Sequence, residues 1–187
     1  MKRTLSLFIL FAVTIFVLWS TMNKTSEERL AQVPKNQRFV ELFMETFKLT
    51  AMDETGAPSY TLNGERLEKF NNSDDTEIRK PVFHMLQPEK QWVVSADFAL
   101  LNDKDETIML KENVVMQQQN TEPAVTIRTP NMMIYTRTQI AKTKAPVEIT
   151  QGNSQIHSIG MIYNNITSDL ELSSDVNGYY LPFDQAL

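Results

Sequence analysis

The chain changes its hydrophobic rhythm twice. From Thr4 to Asn23 no residue is charged, and leucine, phenylalanine, isoleucine and valine dominate the run. Twenty helical residues at about 1.5 Å each reach about 30 Å, the thickness of a bilayer core. A cleaved signal peptide is the competing reading. Leu18 and Trp19, however, stand where a peptidase wants small residues before Ser20 and Thr21, and Trp19 suits a membrane interface. The run is read as a retained anchor, residues 1–23, one transmembrane helix with its cytoplasmic tip. Lys2, Arg3 and the amino terminus favour an N-in, domain-out orientation, although Lys24, Arg29, Lys35 and Arg38 follow the span.

Residues 24–38 are polar, and Pro34 discourages a continuing helix, so they read as a spacer. Beyond it the period falls to two. "RFVELFMETFKLTAM" alternates, "DETGAP" turns, and short apolar runs follow between Asn, Asp, Gly and Pro clusters. The segments "RKPVFHML", "QWVVSADFALL", "TIMLKENVVMQ", "AVTIRTPNMMIY", "QIAKTKAPVEIT" and "SQIHSIGMIYN" have strand length and strand composition. Residues 39–187 are therefore expected to form an all-β domain.

A weak repeat runs through that domain. Units opening at Gly64, Ala96, Thr129 and Gly160, at intervals of 32, 33 and 31, each cross a polar turn and end in Val82, Val114, Val147 or Val176. Such units cannot bury an apolar face alone, so they are expected to stack. One parity would then line a common apolar lane that includes Tyr60, Leu62, Val82, Trp92, Ile127, Ile134, Leu170 and Val176, with His157 facing outward. An ordinary closed sandwich core and a lipid-binding interior look alike at this stage.

Composition narrows the choice of chemistry. The chain is 42% hydrophobic and 22% charged, which suits a folded domain, and its net charge of -5 without a basic run argues against nucleic acid. Absence of cysteine removes disulfides, thiolate metal sites, cysteine nucleophiles and lipoprotein acylation. His84 and His157 are far apart in sequence and lack metal-ligand companions, so no metal is expected. Ser154 and Ser158 flank His157 without a nucleophile elbow, and no phosphate-binding glycine loop is present. No enzyme activity and no cofactor are expected.

Several motifs in order then carry a resemblance. "GAPSYTLNGERLEKF", "KPVFHML", "WVVSADFALL", "IMLKENVVM", "IRTPNMMIY" and "TQGNSQIHSIGM" follow the single apolar segment. Together they resemble the LptC family, the bitopic inner-membrane component of the lipopolysaccharide export machine of Gram-negative bacteria. Asn113 stands where that family often has glycine, in what reads as a hairpin before Val114. The resemblance implies an OstA-like β-jellyroll with an open apolar groove, anchored in the inner membrane with its domain in the periplasm. It implies LptF and LptG with LptB as membrane partners, LptA as the periplasmic acceptor, and lipopolysaccharide as cargo. By matching position it puts Phe47, Ile78, Trp92, Ile127, Ile134, Leu170 and Tyr180 in the groove, and Gly56 and Gly152 at partner-facing turns. The alternative is a membrane-tethered scaffold with a closed β core and no cargo.

Overall fold

A computed structural model describes residues 38–53, 55–86 and 91–181. The expected anchor and all but the last residue of the expected spacer lie outside them. Every regular element among the described residues is a strand: β1 (Val40–Met52), β2 (Pro58–Phe70), β3 (Asp75–Arg79), β4 (Val82–Met85), β5 (Trp92–Ser95), β6 (Phe98–Asn102), β7 (Thr107–Gln118), β8 (Val125–Tyr135), β9 (Ile140–Gln151), β10 (Ser154–Asn164) and β11 (Asp169–Tyr179).

The topology is an antiparallel meander in chain order. β2 pairs with β3 through Arg66–Lys69 and with β4 through Tyr60–Asn63, so β3 and β4 act as one strand with a break. β5 and β6 are the next such strand, and β7 pairs with both. From β7 to β11 each strand pairs with the next.

Each long strand turns a corner near its middle, and the sequence supplies a device for it. Lys80 (φ 48) precedes Pro81 between β3 and β4. Glu112 (φ 63) and Asn113 (φ 50) break β7, and Gly160 (φ 80) breaks β10. Pro130 and Pro146 sit where β8 and β9 lose ladder bonds. Left-handed residues and prolines interrupt pairing and bend the strand. The repeat in the sequence is now explicable: each unit runs from one corner, through a hairpin, to the next corner. Asn113 therefore lies at a mid-strand corner, not in a hairpin, and asparagine tolerates the left-handed conformation there.

The corners fold the sheet onto itself. β5 and β10 are four steps apart in the sheet, about 19 Å along a flat ladder. Yet the Trp92 and Tyr163 rings meet edge-on with centroids 5.2 Å apart. Two half-sheets face each other, and the apolar core lies between them.

The corners also correct the single-parity lane. Thr76 and Ile78 point inward on β3, but after Pro81 it is Phe83 and Met85 that are buried while Val82 is only half-buried. The same flip occurs across Gly160, from Ser158 to Met161 and Tyr163. Leu170 and Val176 are exposed because, among the described residues, β11 has a neighbour on one side only. Nor is the interior an open trough. Ile108, Leu110, Met116, Ile127, Met132 and Ile134 are fully buried against one another, because apolar faces of two apposed sheets exclude water by packing together.

Candidate functional site

The apolar interior is the first component of the site. Phe47 on β1 is paired in register with Gly64 of β2, and its ring lies over that glycine. A Cβ at Gly64 would stand 2.8 Å from Phe47 Cε1 and 3.0 Å from Ile78 Cγ2, so glycine is what lets Phe47 and Ile78 approach across β2. Ile127 lies between Met116 and Ile149 in the ladder, and Ile134 between Ile108 and Ala141. Trp92 is buried beside Met85 and touches Tyr163. Five of the nine sequence-derived site residues thus belong to one packed lane.

On the side of the fold opposite the corners, a polar contact spans the two half-sheets. Tyr60 of β2 reaches Thr136 after β8, another pair four steps apart in the sheet. Burial raises the Tyr60 pKa, Asp103 and Glu106 raise it further, and the Thr136 hydrogen bond opposes them. Asn165 Nδ2 donates to Gln139 Oε1 at 2.7 Å and Asn165 N to Gln139 O at 3.0 Å, tying the β8–β9 turn to the β10–β11 turn. A cleft of about 570 Å³ opens beside Tyr60, Thr136 and Gln139, and a void of about 10 Å³ lies behind it against Phe83, Met85 and Ile134. Sequence reasoning missed Tyr163, Gln139 and Asn165. The parity flip at Gly160 hid Tyr163; the other two occupy corresponding turns of successive repeat units, a signal that was available.

The two ends of the meander form the second component. Among the described residues β1 and β11 each pair on one side only, which leaves a backbone edge unpaired there along 13 and 11 residues respectively. Leu42 and Phe43 are exposed on β1, as are Leu170, Val176 and Tyr179 on β11. Leu170 is 40% exposed and Tyr180, just past β11, is 70% exposed, so both lie away from the packed lane. Gly56 (φ 83) and Gly152 (φ 56) occupy exposed turns beside these end layers, where the backbone sign favours glycine.

Nucleophilic or metal chemistry finds no assembled site among the described residues. His84 on β4 lies 3.5 Å from Asn63 Nδ2, while exposed His157 is five sheet steps away, about 24 Å along the ladder. No group of three or more His, Asp or Glu side chains there could hold a metal ion. A shallow cleft of about 720 Å³ does reach His157, with Arg128, Glu148 and the corner prolines Pro130 and Pro146. Arg128, Glu148 and His157 sit on successive strands and are paired in register, Arg128 to Glu148 to His157.

Among the described residues, a bent antiparallel meander with an apolar interior and an unpaired edge at each end is an all-β domain of jellyroll-like design, suited to enclosing apolar material and to growing by strand addition. A family model described as "Lipopolysaccharide-assembly, LptC-related" matches residues 7–181, and the chain belongs to that family. Membership implies a role in lipopolysaccharide transport in the cell envelope, within a family of transport and scaffold proteins. A search of curated proteins finds no matching relative.

Proposed function

We propose that the chain is a membrane-anchored section of the lipopolysaccharide path, receiving lipid from LptF and LptG with LptB and handing it to LptA. Its amino-terminal helix spans the inner membrane once, with the amino terminus in the cytoplasm and the β-domain in the periplasm. The observation that carries this reading is how the half-sheets are joined. Among the described residues, every hydrogen bond between backbone groups links neighbours in the meander or closes a turn or corner, and only side chains meet across the interior. The halves can part about their corners without breaking a ladder. Acyl chains need such a shelter, because exposing about twelve carbons to water costs about 9 kcal/mol at about 0.8 kcal/mol per CH₂. The unpaired edges of β1 and β11 suit LptF on the amino-terminal side and LptA on the carboxy-terminal side.

Closure of the interior favours a second reading, a scaffold that uses the same edges without cargo. Photocrosslinking in cells separates the two. An aromatic photoprobe replacing the buried Phe47 ring is expected to capture lipopolysaccharide, while the same probe at exposed His157 is not. If Phe47 yields no adduct although the variant folds and transport continues, the chain is a scaffold.

A further inference from the structure

The cleft beside Tyr60 opens where the two half-sheets meet on the side away from the corners. Ala51, Ser59 and Tyr60 line it from one half-sheet, and Leu101, Thr136 and Gln139 from the other. The void behind it is bounded by Tyr60, Thr136 and Gln139 and, further in, by Phe83, Met85 and Ile134 of the core. One layer of side chains therefore separates an outside cleft of about 570 Å³ from the apolar lane. The two lips of the cleft are built unequally. Thr136 N donates to Glu106 O at 2.9 Å, Thr136 Oγ1 to the same carbonyl at 3.0 Å, and the Arg137 guanidinium pairs with Glu106 Oε2 at 2.6 Å. Those bonds tie the β6–β7 turn to the β8–β9 turn, and Gln139 carries the tie on to Asn165. Tyr60 on the opposite lip packs on Phe83 of its own half-sheet, ring centroids 4.8 Å apart, and reaches the braced lip through its hydrogen bond to Thr136.

We infer that Tyr60 and Thr136 are the latch of a lateral port, through which the alkyl tail of a lipid passes from the cleft into the lane when the two side chains part. Such a port rests on the carrier reading and adds where lipid enters. The order of the layers fits an amphiphile. Ser59 and Gln139 offer a hydroxyl and an amide to a polar head in the cleft, and Phe83, Met85 and Ile134 behind them accept hydrocarbon. Asp103 at the same cleft accepts hydroxyl groups and repels phosphate, so the saccharide part of the head would lie there. Opening breaks a side-chain hydrogen bond and no ladder, since β2 and β8 are four steps apart in the sheet and do not pair.

The test uses the full chain held in an amphipathic polymer, with the photoprobe at Phe47 and lipopolysaccharide micelles as the lipid. The chain has no cysteine of its own, so Tyr60→Cys and Thr136→Cys can be joined selectively by a bis-methanethiosulfonate reagent that a reductant later releases. Joining should cut the lipopolysaccharide adduct about tenfold, and reduction should restore it. Tyr60→Phe keeps the ring against Phe83 and removes the hydroxyl, so the adduct should form about fivefold faster with its final yield unchanged. Should the cysteine pair not fold, the Tyr60→Phe rate decides alone. Undiminished adduct in the joined protein, or an unchanged rate in Tyr60→Phe, overturns the port and leaves the carrier reading standing. If the folded chain with native Tyr60 and Thr136 gives no adduct, the carrier reading falls and the port with it.

Discussion

The middle of this meander and its two ends are built from the same kind of strand and end up in different states. β7, β8 and β9 each bury two side chains on both sides of their corners. β1 buries Phe47 alone, and β11 has no buried residue. The end strands still carry apolar side chains, and they have the same corner devices, Thr46 (φ 49) and Asp175 (φ 48). They are finished as strands and unfinished as layers. Proteins usually blunt long edges with proline, lysine or a covering element, because an open edge invites pairing. Among the described residues, each end layer leaves an edge that a further strand would complete.

The sharpest way to break that comparison is to place one charge in each region. Ile134 is 0% exposed, so Ile134→Asp puts a carboxylate where no partner can reach it. We expect a loss of about 4 kcal/mol or more in urea unfolding of the chain, enough to unfold a marginal domain. Val176 is 54% exposed, and Val176→Asp should change stability by no more than about 0.5 kcal/mol. The same substitution should still weaken capture of an LptA-like partner, measured by pull-down. Equal destabilisation at the two positions would mean that the ends are packed like the middle.

A smaller effect marks the boundary between the regions. Gly64 is where the β1 end layer is keyed to the interior, because Phe47 packs over it and Ile78 lies beyond. Gly64→Ala should cost about 1–3 kcal/mol by overpacking, since a methyl 2.8 Å from Phe47 Cε1 forces the ring to move. Adding Phe47→Leu should recover part of that loss, and a double-mutant cycle measures the coupling. Additive losses would show that the ring can swing clear and that β1 is attached only by its ladder.

How much of this was legible in the sequence depends on the length scale of the signal. Alternation and turn clusters identify the β-domain, because inward and outward positions obey a local period of two. The spacing of Gly64, Ala96, Thr129 and Gly160 anticipates the corners without revealing what they are. What could not be read was the parity beyond each corner. Pro81 and Gly160 reset the inward face, which put Val82 in the lane on paper and kept Tyr163 out of it. Nor does alternation distinguish an end layer from a middle one: Leu170 and Val176 have the pattern of inward residues and lack the neighbouring strand that would cover them. Closure of the interior depends on side chains four sheet steps apart, such as Trp92 and Tyr163, and no local pattern encodes that meeting.

The smallest predicted effect concerns the corners of the middle layers. Asp97 joins three of them: Lys80 Nζ donates to its Oδ1 at 2.7 Å, Asn113 Nδ2 to its Oδ2 at 2.6 Å, and its own N–H reaches Glu112 O at 3.0 Å. Hydrogen bonds from Lys80 and Asn113 lower the Asp97 pKa below the ordinary carboxylate value, by favouring the charged form. A lowered folded pKa means that this contribution is present in full above the unfolded pKa and is lost as pH falls through the folded one. Asp97→Asn should therefore lower stability slightly at neutral pH and flatten the acid limb of a melting-temperature profile below the ordinary carboxylate range. At the end-layer corner in β11, Asn177 Nδ2 donates instead to the Asp175 backbone carbonyl at 3.2 Å, a bond that does not need the carboxylate. Asp175→Asn keeps that bond and should leave the melting temperature at neutral pH unchanged. If the two substitutions act alike, the corner carboxylate does not distinguish middle from end, and the difference between the regions lies in packing alone.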